Sequence, residues 1–271
     1  MPFLPRLPIT RFVCYLLVGL AVVAVLAITV EEVSAHIYRQ RAERLLHDVR
    51  QLQVGKSTFE DARALIVGHG GGVSPYDHSG CSPTHCTCEV ALKHYPFFIE
   101  VWARFLNVEM LCQMLRVFPA LGLQDWWGGA NVRVDGGVVT HVWYGVFVRG
   151  SGGWVLGHTI DEFKVMPEYL RDRMRQRSYA VGWFNITTEG GGEGVSSTLA
   201  HEASAEERER AYGLDFGCLT RRGGCTSLCQ LAPTAFADFL KENEMPWLDE
   251  HDPNCARFKP LVANPNNAAH P

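Results

Sequence analysis

The chain has 271 residues, 47% of them hydrophobic and 20% charged, which excludes wholesale disorder. A formal net charge of -4 argues against a nucleic-acid binder, which would carry a basic face. Nine cysteines are a high number for a reducing compartment.

In chain order, the first element is an uncharged apolar run, Phe12 to Val30, preceded by Arg6 and Arg11 and followed by Glu31 and Glu32. At 1.5 Å per helical residue such a run spans roughly the 30 Å hydrocarbon core of a bilayer. The alternative is a cleaved signal peptide with Val33-Ser34-Ala35 as its site, but a signal core holds only about 7–15 apolar residues. A retained anchor is therefore expected, with the bilayer as partner of residues 12–30. Cys14 lacks a lipobox-like context, and Gly19 is followed four residues later by Val23, so no G-x-x-x-G dimer face is formed.

Orientation follows less directly. Arg6, Arg11 and the α-amino group favour a cytoplasmic N-terminus, whereas Arg39, Arg41, Arg44 and Arg50 on the far side oppose it. The cysteines decide, because eight of the nine lie outside the span. The reading is a cytoplasmic leader over 1–11, a transmembrane helix over 12–30, an exit helix over 31–54, an extracytoplasmic α+β domain over 55–245 and a disordered tail over 246–271.

In the exit helix, Tyr38, Ala42, Leu45, Val49 and Leu52 recur at four-three spacing. That seam serves either packing on the chain's own domain or self-association through residues 31–54. Gly55-Lys56-Ser57-Thr58 is not a P-loop, since the required glycine five residues before the Gly-Lys pair is Arg50. It reads instead as a helix start. Ser57 caps, Glu60 closes a capping box, Phe59, Ala62, Leu65 and Ile66 form the apolar face, and Gly68, Gly70, Gly71 and Gly72 end the helix.

The pattern Leu52-x-x-Gly55-x-Ser57-x-x-Glu60 is similar to the helix-turn segment, here residues 52–66, of small BamE-like lipoproteins of bacterial outer-membrane assembly. The lipobox of that family has no counterpart here.

Pro96 to Leu123 is very apolar but interrupted by Glu100, Arg104, Asn107, Glu109, Gln113 and Arg116, too often for a second span. A core helix or an interfacial helix is expected there, with Trp126 and Trp127 beyond it suiting either. Strands follow. Asn131–Val134 and Val138–Val148 flank Asp135-Gly136, a hairpin signal, and further strands are expected at Trp154–Leu156, Tyr179–Thr187 and Val195–Leu199. Ser204 with Glu207 forms a second capping box, opening a helix to about Tyr212, and a last helix follows Pro233 to about Lys241. The fold class is α+β: an N-terminal transmembrane helix, then an antiparallel sheet packed with helices.

Reactive side chains are densest at His78-Ser79-Gly80-Cys81 and His85-Cys86-Thr87-Cys88. A metal would fall on His78, Cys81, His85, Cys86 and Cys88, but C-x4-C and C-x-C are poor knuckle spacings. Disulfides among Cys81, Cys86, Cys88, Cys112, Cys218, Cys225, Cys229 and Cys255 are the main expectation, with reduced thiols a further alternative. Eight cysteines allow 105 pairings, so connectivity stays open.

No G-x-S-x-G elbow, triad spacing or cofactor motif is present, and no catalytic or cofactor residue is assigned. His141 is read as a sheet-face residue, Asp249 to Asp252 as solvated tail, and Asn185-Ile186-Thr187 as a sequon inside a strand.

Together the capped helix, the Cys81/Cys86 pair and Cys218-Leu219 with Gly224-Cys225 resemble a group of uncharacterised bacterial membrane-anchored proteins over residues 12–235, which implies no particular activity. The expected role is a membrane-anchored envelope protein binding a protein or lipid partner. An extracytoplasmic hydrolytic or metal-dependent enzyme and a self-associating structural protein are the alternatives.

Overall fold

The structure is a computed structural model that describes residues 7–75, 80–94, 125–148, 159–167, 178–186, 192–200, 202–225 and 227–242. The segment Pro96–Leu123, the strand expected at Trp154–Leu156, the acidic group at 249–252, the tail and residues His78, Cys112 and Cys255 lie outside these.

The apolar run and the exit helix form one helix, α1 (Leu7–Val49). It is long and apolar enough to cross a membrane, and its apolar half is unburied: Leu16, Leu17, Val22, Val25 and Leu26 all face outward. Its second half behaves oppositely. Ala35, Ala42, Leu45, Leu46 and Val49 are buried in the core of the domain, and Tyr38 packs against it. The seam read from the sequence is thus occupied by the chain's own sheet. The Tyr144 hydroxyl donates to the Ala42 carbonyl at 3.2 Å, Arg39 donates to Thr220 Oγ1 at 3.1 Å, and Tyr38 meets the His94 ring edge-on at 5.5 Å.

The helix ends at Val49 rather than near Gln53. Gln51 and Leu52 there bond back three residues, to Asp48 and Val49, and Gly55 takes a positive φ of 79°. Helix α2 (Phe59–Gly68) then starts one residue later than expected. Thr58, not Ser57, is its cap, and Asp61, not Glu60, closes the box. The cause is local: Ser57 Oγ already accepts from the Gln53 amide at 2.9 Å, closing the preceding turn. Phe59, Ala62 and Ile66 bury the anticipated face.

Seven strands follow: β1 (Gly72–Val73), β2 (His85–His94), β3 (Trp126–Asp135), β4 (Val138–Val148), β5 (Thr159–Pro167), β6 (Tyr179–Ile186) and β7 (Gly192–Leu199). They form one sheet in the order β1-β2-β3-β4-β5-β7-β6, antiparallel except for the parallel pair β5/β7. The expected α+β class with an antiparallel sheet covered by helices is found. The β3–β4 hairpin turns at Gly136 and Gly137, φ 63° and 85°, the two left-handed positions that a two-residue type I′ loop requires.

Helices close the same core. Ser204 and Glu207 cap α3 (Ala205–Ala211) as expected. A 3-10 helix (Phe216–Thr220), α4 (Leu228–Leu231) and α5 (Pro233–Glu242) follow. Alternation sorts the strands: in β2, Cys86, Cys88, Val90, Leu92 and His94 face the core, while Ala91 and Lys93 are exposed on the other side.

Candidate functional site

The cysteine-rich turn is built by β2 and its lead-in. A tight turn joins Ser82 to His85 through reciprocal backbone bonds of 2.8 and 3.2 Å, which brings Cys81 beside the start of the strand. Cys81 and Cys86 are joined by a disulfide, as are Cys218 and Cys225, and Cys229 is disulfide-bonded too. Cys88 departs from the expectation, for it is buried and reduced, with its Sγ 3.5 Å from that of Cys86. Two of the metal candidates, Cys81 and Cys86, are therefore consumed as disulfide sulfurs. Among the described residues no three His, Cys, Asp or Glu side chains converge to hold a metal ion.

His85 points to the opposite face of β2, away from the sulfurs. Its Nδ1 lies 2.7 Å from Asp135 Oδ1, while Asp135 Oδ2 accepts from Thr140 Oγ1 at 2.9 Å and pairs with the Arg133 guanidinium, its Nε 2.8 Å away. Burial tends to raise the Asp135 pKa. The bonds from Thr140, Arg133 and His85, with the Arg133 charge, outweigh it and hold the carboxyl below its ordinary range. His141 Nδ1 extends this network, 3.3 Å from Thr140 Oγ1. A His–Asp pair alone does not make a nucleophile. The nearby Ser82 hydroxyl is engaged by Thr84 Oγ1 and by the backbone of His85.

The same outer face carries an aromatic group. Strand register places Lys93, Trp127, Phe147 and Glu162 in one row across β2, β3, β4 and β5. The next row is Ala91, Gly129, Gly145 and Lys164, and the one after is Glu89, Asn131 and Trp143. Trp127 stacks on Phe147 with ring centroids 3.7 Å apart, and Trp143 lies 6.4 Å from Phe147 at 37°. The Trp143 indole reclines over Gly145, where a Cβ would come within 2.5 Å of its ring. Trp127 stays 39% exposed. The aromatic side chains thus flank the small residues Ala91, Gly129 and Gly145, with the Trp143 ring covering Gly145, and the amide of Asn131 and the charges of Lys93 and Arg133 lie on the same face.

Two further polar clusters have structural roles. Asp238, buried on α5, accepts from Tyr179 at 2.9 Å and from Arg210 Nε at 3.0 Å, with a second bond from Arg210 Nη2. It thereby ties β6, α3 and α5 together at the edge of a cleft of about 580 Å³. Burial, then the Asp238 charge, push the Tyr179 hydroxyl well above its ordinary pKa. Between α1 and α2 runs an open groove of about 1090 Å³ lined by Arg41, Arg44, His47 and His69. There His69 Nε2 meets Asp48 Oδ2 at 2.8 Å.

Sequence reasoning missed the aromatic face. Its signal was the alternation of Trp127 with Gly129 and of Trp143 with Gly145 and Phe147, legible only once the register is known. Compared with protein-family models, curated proteins and solved structures, the chain matches none of them.

Proposed function

We propose that this chain is a single-pass, membrane-tethered envelope protein, its N-terminus cytoplasmic and its α+β domain outside the cytoplasm, and that it binds a protein partner. The observation that carries the reading is α1. One uninterrupted helix is bare and apolar in its first half and buried in the domain core in its second. The signal-peptide alternative fits poorly, because Val33-Ser34-Ala35 lies inside this helix and Ala35 is already 3% exposed. The disulfides support an oxidising compartment.

The outer sheet face supports the binding role. Exposed tryptophan beside arginine is the composition of interface hot spots, and Trp127, Phe147 and Trp143 present aromatic surface on one face of the sheet.

Reporter fusions after Pro271 test the topology. Alkaline phosphatase activity with a dark fluorescent-protein fusion is expected, and the converse pattern refutes it. A photo-reactive residue at position 93 tests the face. It should give a discrete cross-linked protein that vanishes with Trp127→Ala, whereas a cross-link unaffected by Trp127→Ala refutes this surface.

A further inference from the structure

The groove between α1 and α2 combines two chemistries. Its lining on α1 runs from Ile37 to Asp48, and on α2 it takes in Leu65 and Val67. Arg41 and Arg44 are exposed in it, and neither has an ion-pair partner among the described residues. The two carboxylates alongside are occupied, Glu43 by Arg39 and Asp48 by His69. Net positive charge is left over. The remainder is apolar, since Ile37 and Val67 both face outward.

The groove lies close to the end of the apolar run. Ile37 follows Val30 by about 10 Å along the helix at 1.5 Å per residue. Positions three and four apart share a helix face, so the exposed Val30, Val33 and Ile37 form a strip leading from that run into the groove. Glu31 is buried, and Glu32 sits about 100° round the helix from Val33, off the strip. Helical side chains lean toward the N-terminus, which here is the membrane end. Arg41 shows this lean, its guanidinium carbon lying over the Tyr38 ring at 5.4 Å from the centroid.

Resting on the membrane tether proposed above, we propose that this groove binds an anionic phospholipid of the same bilayer. Its phosphate sits against Arg41 and Arg44, and its acyl chain runs along Ile37 and the exposed valines of α1. On this face the uncharged length from Phe12 to Ile37 is about 37 Å, against a hydrocarbon core of roughly 30 Å. Tilting of the helix toward this face relieves the mismatch and lowers both arginines toward the headgroup layer. Arginine suits that layer, because its fork bonds phosphate through two parallel N–H groups while its stem covers apolar surface. The two chemistries together select the occupant. A soluble phosphate would leave the apolar strip bare, and an apolar peptide would leave two guanidinium charges desolvated without a counter-charge.

The test is native mass spectrometry of the full-length protein in a neutral detergent, titrated with dioctanoyl phosphatidylglycerol, dioctanoyl phosphatidylcholine or glycerol phosphate. Phosphatidylglycerol should bind at least about tenfold more tightly than phosphatidylcholine, given two arginines near the phosphate. Arg41→Gln with Arg44→Gln should abolish that preference. Arg63→Gln, exposed on α2 outside the groove, should leave it unchanged. Equal binding of the two lipids, an undiminished preference in the double variant, or displacement of phosphatidylglycerol by an equal concentration of glycerol phosphate would each overturn the proposal. Sodium carbonate washing of vesicles carrying the protein reports the tether separately. A protein washed off overturns the tether and the lipid site with it, whereas a retained protein without headgroup preference overturns the lipid site alone.

Discussion

Leu45→Ala separates an exit helix that belongs to the domain from a stalk that merely carries it. Leu45 is 0% exposed, midway along the seam between Ala42 and Val49, in the core shared with β2, β3 and β4. Truncation removes three methylene-sized groups at about 0.8 kcal/mol each in transfer free energy, and the void left behind adds to this, for about 3–4 kcal/mol in all. Helix propensity offsets only a few tenths, since alanine and leucine are both strong helix formers. For a domain of roughly 190 residues each kcal/mol moves Tm by about 2–4 °C, so a drop of about 6–16 °C is expected. Ile37→Ala is the matched control: it lies on the same helix, is 51% exposed, and should cost no more than about 0.5 kcal/mol. The assay is thermal unfolding in detergent followed by near-ultraviolet circular dichroism, which reports tertiary packing rather than the helix within the micelle. Melting of both variants within about 2 °C of wild type would refute the docking of α1 on the sheet.

Other expected outcomes follow from single contacts. A Cβ at Gly129 would lie 2.2 Å from the Val90 carbonyl oxygen, a backbone atom of β2, so Gly129→Ala should cost about 2–4 kcal/mol in denaturant unfolding. Gly145→Ala meets only the Trp143 ring, which can swing away, so it should change tryptophan fluorescence more than stability. Asp238→Ala leaves the Tyr179 hydroxyl without its acceptor, while Arg210, 42% exposed, regains water; a loss of about 1–3 kcal/mol is expected, read from the urea midpoint. The Asp135 carboxyl titrates below its unfolded value, so its stabilisation is present above about pH 3.9 and disappears as pH falls through the lower folded value. Urea midpoints of wild type and Asp135→Asn should therefore differ at pH 7 and converge in strong acid.

Much of the architecture was legible because local signals dominate it. The long apolar helix, the caps at Ser204 and Glu207, the β3–β4 hairpin and the β6–β7 pair all rest on periodicity or turn chemistry within a few residues. Two neighbouring hydroxyls, Ser57 and Thr58, defeated the cap assignment, since the choice depends on which one the preceding turn occupies. Strand β2 was overlooked for another reason. Its cysteines read first as disulfide partners and its histidines as weak metal candidates, yet Cys86, Cys88, Val90 and Leu92 alternate inward like any strand. The parallel β5/β7 pairing joins segments about thirty residues apart and leaves no local trace. The candidate site was legible only in part. Sequence placed the sulfurs close together, but the stacking of Trp127 on Phe147 is a product of register across two strands.

From Leu20 to Val54 the chain contains no glycine or proline, and α1 runs unbroken to Val49 with the domain already packed on it at Ala35. A flexible tether of about twenty residues would let the domain roam over roughly 24 Å in any direction and present every face in turn. In the membrane-tethered arrangement proposed above, a helical arm would allow little beyond spinning about the membrane normal and tilting by about 20°. Trp127 and its neighbours would then sweep a narrow ring at constant height. Under that proposal a partner embedded in the same bilayer would meet this face at high effective concentration, whereas one that needs another height or attitude would meet it hardly at all. Such an arm would select partners by geometry before any contact is made.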